Sequence, residues 1–157
     1  MADMPKAGDP APPFSLAAST GQTISLDDFR GKPVVLYFYP KDNTPGCTRE
    51  ACDFRDLKSE FDKAGAVVLG VSKDSLKSHE NFVNKFELTF PLLADTETEV
   101  CQAYGVWAEK KNYGRTYMGI VRASFLIGPD GKVAKVWPKV KVDGHADAVL
   151  AAIGELG

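Results

Sequence analysis

Short apolar runs, separated by polar and glycine-rich segments, set the pattern of this chain. Runs of five or six apolar residues bounded by Gly, Pro and polar side chains are typical of strands buried on both faces. The clearest is Val34–Tyr39, and Gly128-Pro129-Asp130-Gly131 predicts a hairpin turn between the last two runs. We predict strands at 34–39, 66–71, 90–94, 123–127 and 132–137.

Helical spacing fills most of the intervals between these strands. From Thr48 to Lys63, apolar residues recur every three or four positions, which predicts one amphipathic helix ending at Gly65. The other predicted helices begin near Ser, Thr or Asp residues, which commonly cap helices, and glycine commonly marks a helix end. We predict further helices from Asp74 or Ser75 to Lys85, from Thr96 to Tyr104, and from His145 to Ile153.

The remaining segments have weaker patterns. Residues 1–13 contain four prolines and predict an irregular arm, and residues 14–16 and 23–26 predict a small hairpin followed by a helical turn at 26–30. Residues 107–120 are polar and contain glycine, so we interpret them as a surface loop. Strands alternating with helices predict an α/β fold with a central mixed β-sheet flanked by helices, in a single domain over 1–157.

The amino-acid composition argues against several classes of protein. The 157 residues carry a net charge of -2, and 44% of them are hydrophobic, as in an ordinary globular protein. Basic residues are scattered, which argues against a nucleic-acid partner, and no apolar stretch approaches the roughly 18 residues of a membrane span. The first residues lack the features of a signal peptide, so we expect a cytoplasmic, reducing location.

Three cysteines, Cys47, Cys52 and Cys101, do not suit a disulfide-stapled secreted scaffold. Nor do they suit structural zinc, because His79 and His145 lie too far apart to form a second ligand pair. We therefore expect no structural zinc site, and we expect both histidines to be surface or capping residues. Reactive thiol chemistry is the interpretation that remains.

The segment Pro40-Lys41-Asp42-Asn43-Thr44-Pro45-Gly46-Cys47 joins the first strand to the first helix. Thr44 suits the N-cap and Pro45 the first helical position, so Cys47 falls at about the third. Free backbone amides and the helix dipole favour an anion there, and the thiolate is the reactive form of cysteine. Simpler interpretations also stand: Thr44 as a cap alone, Cys47 as a buried inert thiol, and Arg122, just before a predicted strand, as a surface charge or an ion pair.

Cys52 follows Cys47 by five residues on the predicted helix. At this separation, Cα atoms lie roughly 8.5 Å apart in an intact helix, beyond the limit of about 7 Å for a disulfide. If the two cysteines pair, the start of the helix must unwind. Position alone favours a buried core thiol for Cys52, and Cys101 is best explained by packing.

The chain resembles the peroxiredoxins, specifically their bacterioferritin comigratory protein (Bcp)/PrxQ subfamily. The resemblance rests on P-x-x-x-T-x-x-C at 40–47 within Y-F-Y-P-K-D-N-T-P-G-C-T-x-E-A-C. It continues over nearly the whole chain, in segments 70–74, 90–95, 104–107 and 117–132 and near the C-terminus. It implies a thioredoxin-like fold with an N-terminal hairpin extension and a thiol-dependent peroxidase that needs no metal, haem or flavin.

The resemblance also implies roles for particular residues. Cys47 matches the peroxidatic cysteine, whose thiolate attacks the peroxide bond to give a sulfenic acid. Cys52 matches the resolving cysteine, which forms an intramolecular disulfide with it. Thr44 matches a threonine whose hydroxyl contacts the peroxide, and Arg122 matches an arginine that favours the thiolate and stabilises the leaving oxygen. Pro40 matches a proline that shields the sulfur from water, and Glu50 matches a glutamate that orients the arginine.

The implied partners are a peroxide and a thioredoxin-type dithiol that reduces the disulfide, with no nucleic acid or membrane. A monomer is expected, or at most a weak dimer. Two other interpretations remain open: a plain thioredoxin-type oxidoreductase, although the chain contains no C-x-x-C, and a non-enzymatic redox sensor or holdase.

Overall fold

A central five-stranded sheet organises the protein, whose structure is a computed structural model that describes residues 3–156. The strand order is β5-β4-β3-β8-β9. Strands β3, β4 and β5 are parallel to one another, β8 runs antiparallel to β3, and β9 runs antiparallel to β8. The strands are β1 Ser15–Ala17, β2 Thr23–Ser25, β3 Val34–Phe38, β4 Val67–Ser72, β5 Leu92–Ala94, β6 Trp107–Asn112, β7 Arg115–Ile120, β8 Ala123–Ile127 and β9 Val133–Trp137.

In the described part of the chain, five α-helices and one short 3-10 helix, Leu26–Phe29, accompany the sheet. The α-helices are α1 Pro45–Asp56, α2 Lys58–Lys63, α3 Leu76–Phe86, α4 Glu99–Ala103 and α5 His145–Gly154. Within residues 3–156, none of these helices combines the length and apolar character that crossing a bilayer requires.

Among residues 3–156, two hydrophobic cores lie on opposite faces of the sheet because successive side chains of a strand alternate. From β3, Leu36 and Phe38 enter the core shared with the N-terminal hairpin and α4. Val35 and Tyr37 enter the other core, together with Cys47 of α1 and residues of α3 and α5. The predicted mixed sheet, flanking helices and N-terminal hairpin β1–β2 are confirmed, whereas the single domain over 1–157 stays a prediction.

The surface loop predicted at 107–120 is wrong. These residues form the hairpin β6–β7, in register from Trp107 opposite Ile120 to Asn112 opposite Arg115. Its turn residues Tyr113 and Gly114 have φ of 51° and 75°, the left-handed pair that a two-residue hairpin turn requires. Because most of its side chains are exposed, the hairpin lacks the apolar alternation that reveals a half-buried strand.

Two predicted helices are shorter than the pattern suggested. The helix predicted to run to Lys63 is divided at Leu57, whose φ of -98° and ψ of 11° end α1 before α2 begins. The helix predicted from Thr96 starts only at Glu99, because Thr98 has a left-handed φ of 60°. Apolar spacing continues across the Leu57 break, so the pattern alone could not detect it.

Candidate functional site

Cys47 lies at the third position of α1, where the loop after β3 enters the helix. Thr44 is the N-cap, with extended φ and ψ, and Pro45 is the first helical residue, as predicted. The Cys47 side chain faces the sheet and is only 2% exposed. The sulfur is therefore held close to the start of the helix in a nearly closed site.

Arg122, which lies outside α1, contacts this sulfur. It immediately precedes β8, whose first residue Ala123 pairs with Phe38 at the end of β3, so the two strand ends lie side by side. The Arg122 Nη2 group donates to Cys47 Sγ at 3.3 Å, and Nη1 donates to Glu50 Oε1 at 2.6 Å. One guanidinium thus joins two of the predicted residues, although it is 75 positions from Cys47 in sequence.

Glu50 is a buried carboxyl group, only 1% exposed, one turn after Cys47 on α1. Its Oε1 binds Arg122, but its Oε2 has no hydrogen-bond partner among the described residues. Burial raises the pKa of Glu50 from 4.5 to about 7, although the Arg122 charge lowers it. A pKa of about 7 places the titration of this carboxyl near neutral pH.

The raised pKa of Glu50 predicts that stability falls as pH rises. Between pH 4.5 and about 7 the folded protein binds a proton that the unfolded chain has released, so stability is lost over that range. The loss should be about 3 kcal/mol, from 1.36 kcal/mol per pKa unit. We expect Glu50→Gln to gain stability over the wild type as pH rises from 5 to 8, measured by urea unfolding.

The matched control for this experiment is Glu80→Gln, since Glu80 is exposed on α3. Its stability difference from the wild type should stay constant across the same pH range. A constant difference for Glu50→Gln as well would contradict the raised pKa.

Gly46 permits the approach of Arg122 to the helix start. A Cβ atom at this position would lie 3.2 Å from Arg122 Nη2, tighter than an ordinary contact. We expect Gly46→Ala to push the guanidinium from Cys47 by a few tenths of an ångström and to slow the reaction of Cys47 with peroxide by about threefold to tenfold.

Single-turnover kinetics of the reduced protein measure this effect. Gly154→Ala is the matched control, because a Cβ there, also in a helix, meets nothing within 4 Å. The explanation fails if Gly46→Ala and Gly154→Ala react at the same rate.

Thr44 and Pro40 lie in the same loop as Cys47. The Thr44 hydroxyl makes no capping bond and instead donates to the backbone oxygen of Lys41 at 2.9 Å. Pro40 is half-buried and follows Tyr39, which is buried. The loop therefore fixes the Thr44 hydroxyl by its own backbone, an arrangement that the N-cap prediction did not anticipate.

The other two thiols lie in different environments. Cys52 is on the same intact helix as Cys47 and is partly exposed, whereas Cys101 is fully buried in α4. Burial raises the pKa of the Cys101 thiol far above its usual range, with the Asp95 carboxylate adding to the shift. All three thiols are free. The packing interpretation of Cys101 agrees with this burial, but Cys52 is not the buried core thiol that its position favoured.

Lys110 is a cation near the site that sequence reasoning missed. Its side-chain stem packs near Gly119, the residue opposite Ala108 in the β6–β7 hairpin. Burial and the charge of Arg122 lower the pKa of Lys110, and the charge of Cys47 raises it. The polar segment gave no signal for this placement, because the hairpin itself was not predicted.

Both histidines were predicted to be surface or capping residues, but both are buried and neither is the N-cap of its helix. His79, in α3, has no exposed surface, and its Nδ1 lies 2.7 Å from Asp42 Oδ2. His145, the first residue of α5, lies with Nε2 2.8 Å from Ser124 Oγ, and burial lowers its pKa to about 4. Each ring finds a specific polar partner, which a lone histidine in a sequence does not reveal.

One group among residues 3–156 has the geometry of a cation site. Ligand atoms of Asp42, Asp74 and His79 lie within 4.8 Å of one another. These atoms already bind protein groups, since Asp42 and Asp74 accept hydrogen bonds and both His79 ring nitrogens have partners. The donor set is therefore explained as a hydrogen-bond network.

Comparison with known proteins identifies the family. The profile of the AhpC/TSA family matches residues 7–136. The chain belongs to the AhpC/TSA family. It is 53% identical over 146 residues to the putative peroxiredoxin bcp of Coxiella burnetii, covering 93% of this chain and 97% of that protein. It is 48% identical over 149 residues to the peroxiredoxin Bcp of Bacillus subtilis, covering 95% of each.

A solved structure extends the likeness to three dimensions. The Xanthomonas campestris bacterioferritin comigratory protein, described with its alkyl peroxide reduction activity and trapped intermediate/ligand complexes, has a TM-score of 0.87. It is 50% identical and covers 91% of each chain. These relationships confirm the predicted membership in the Bcp/PrxQ peroxiredoxins and the predicted thioredoxin-like fold.

Proposed function

We propose that Cys47 is the peroxidatic cysteine of a thiol-dependent peroxidase that reduces hydrogen peroxide and organic hydroperoxides. The observation that carries this proposal is the Arg122 guanidinium, 3.3 Å from a sulfur held at the start of a helix. The thiolate is the form of cysteine that attacks peroxides, and the guanidinium lies where it can stabilise the negative charge that develops during the attack. Family membership supports the same chemistry.

The first step makes a sulfur–oxygen bond and breaks the peroxide bond. The Cys47 thiolate attacks the terminal oxygen, the O–O bonding pair leaves with the other oxygen, and this oxygen takes up a proton to become water or an alcohol. Arg122 stabilises the charge that develops on the leaving oxygen. Glu50 orients Arg122, the Thr44 hydroxyl contacts the peroxide, and Pro40 limits the access of water.

The second step forms a disulfide. The Cys52 thiol attacks the sulfur of the Cys47 sulfenic acid, a sulfur–sulfur bond forms, and water leaves. A dithiol of the thioredoxin type then reduces the disulfide and restores both thiols. The partial exposure of Cys52 supports its role as the resolving cysteine.

The physiological setting is part of this proposal. We expect a monomer in the cytoplasm that removes peroxides and maintains redox balance. The reaction as written needs the peroxide, the two cysteines and a dithiol reductant. It therefore requires no metal or organic cofactor.

Coupled peroxide reduction tests the function. With thioredoxin, thioredoxin reductase and NADPH, the wild type should oxidise NADPH in proportion to added hydrogen peroxide. Cys47→Ser should abolish this turnover, while Cys101→Ser, the control, should retain it. Full activity of Cys47→Ser would contradict the assignment of Cys47 as the peroxidatic cysteine.

A further inference from the structure

A buried polar network surrounds Asp42 in the loop between β3 and α1. Its carboxylate accepts hydrogen bonds from the Tyr39 hydroxyl at 2.6 Å and the Ser78 hydroxyl at 2.8 Å, and its Oδ2 lies 2.7 Å from His79 Nδ1. Asp42 is 6% exposed and His79 is fully buried. A buried carboxylate with three partners is held far more rigidly than an ordinary loop residue.

His79 connects the loop to two other elements. Its Nε2 is 2.9 Å from the backbone oxygen of Leu93 in β5, and a carbonyl oxygen can only accept, so Nε2 donates this hydrogen bond. Its Nδ1 makes the short contact with the Asp42 carboxylate. His79 thus ties the loop to both α3 and β5.

The peptide group between Lys41 and Asp42 connects this network to Thr44. Its N–H donates to Asp74 Oδ2 at 2.8 Å, and Asp74 is itself held by the Ser72 hydroxyl at 2.6 Å. The carbonyl of the same peptide group accepts the Thr44 hydroxyl at 2.9 Å. Because a peptide group is planar, fixing its N–H also fixes the direction of its carbonyl.

We propose that Asp42, Asp74 and His79 are positioning residues, which hold the Lys41–Asp42 peptide group so that its carbonyl orients the Thr44 hydroxyl towards bound peroxide. This inference rests on the proposed function, since it concerns how Thr44 serves the reaction of Cys47. The network contacts the loop, whereas Arg122 contacts the sulfur. Changes to the network and changes to Arg122 should therefore affect the reactions of Cys47 differently.

This separation predicts an unusual kinetic signature. Asp42→Ala should slow the reaction of reduced Cys47 with hydrogen peroxide by about 10-fold to 100-fold, the loss expected when a reacting group is misplaced by up to 1 Å. Alkylation of Cys47 by iodoacetamide at the same pH should keep its wild-type rate, because Arg122 remains in place. Asp42→Asn should recover most of the loss, since its amide can donate to a neutral His79 imidazole.

A double-mutant cycle identifies the route through Thr44. In a Thr44→Val background, Asp42→Ala should cause no further slowing, because the hydroxyl that the network orients is already gone. Asp74→Ala, at a less buried site, should repeat the effect of Asp42→Ala. If Asp42→Ala does not fold, the result for Asp74→Ala tests the positioning role in its place. Ser75→Ala is the matched control: it removes the N-cap bond of α3 without contacting Asp42, and should leave both rates unchanged.

The outcomes separate this inference from the proposed function. A slowed peroxide reaction with unchanged alkylation, and no added loss in the Thr44→Val background, would support the positioning role. Wild-type peroxide rates in the folded Asp42 and Asp74 variants, a parallel fall in alkylation, or an undiminished loss without the Thr44 hydroxyl would overturn it. A wild-type protein that does not react with peroxide would instead refute the peroxidase function itself.

Discussion

Replacing Arg122 with methionine should slow the reaction of Cys47 with hydrogen peroxide by about 100-fold to 1000-fold, the usual cost of removing one donor that stabilises a transition-state charge. Methionine keeps an apolar stem but removes both the donor to Cys47 Sγ and the partner of Glu50. The thiolate then loses its nearest cation, and the leaving oxygen loses a group that can stabilise its charge.

Two further variants show whether this loss comes from the guanidinium fork. Arg122→Lys keeps the charge but cannot bridge Glu50 and Cys47 with the same rigid geometry, so its rate should be intermediate. Arg115→Met, the control, removes an exposed arginine from β7 and should leave the rate unchanged. Single-turnover thiol loss measures all three, and less than about a threefold loss in Arg122→Met would contradict the transition-state role.

Oxidation with peroxide should produce a Cys47–Cys52 disulfide and unwind the start of α1. Both cysteines belong to the intact helix Pro45–Asp56, where five residues separate their Cα atoms by roughly 8.5 Å. That distance exceeds the limit of about 7 Å for a disulfide. Both thiols are free in the structure, and if Cys52 resolves Cys47, the start of the helix must open in every catalytic cycle.

Peptide mapping and amide exchange measure the two parts of this prediction. Oxidised protein should yield a linked pair of peptides containing Cys47 and Cys52, and amide exchange over residues 45–53 should become faster. The control is Cys52→Ser, which should form no internal disulfide with Cys47, show no faster exchange and lose turnover with thioredoxin. A Cys47–Cys101 link would remove Cys52 from its role, and unchanged protection over 45–53 would contradict the unwinding.

The local features of the site could be predicted because they depend on neighbouring residues. The apolar run before Pro40 specifies β3, and Thr44 and Pro45 specify the start of α1, so Cys47 was correctly expected at the third helical position. These signals act over a few residues and are physical in origin: a fixed proline φ, orphan backbone amides and side-chain alternation. The sequence alone thus predicts the position of Cys47 at the start of the helix.

Contacts between distant segments could not be predicted in the same way. Family resemblance suggested the Arg122–Glu50 pair, whereas local sequence allows a surface charge or an ion pair for an arginine beside a strand and names no partner. The burial of His79 depends on Asp42, 37 positions earlier, and on the backbone of β5. The β6–β7 hairpin was missed because its exposed strands carry no apolar alternation, and Lys110 was missed with it.

The most direct test of this account is to identify the thiol that peroxide oxidises first. Reduced Cys52→Ser protein would receive one equivalent of hydrogen peroxide in the presence of a sulfenic-acid trap, and mass spectrometry of its peptides would locate the adduct. We expect the adduct on Cys47, the sulfur that Arg122 contacts. An adduct on Cys101, or a Cys47 that remains a free thiol, would contradict the account.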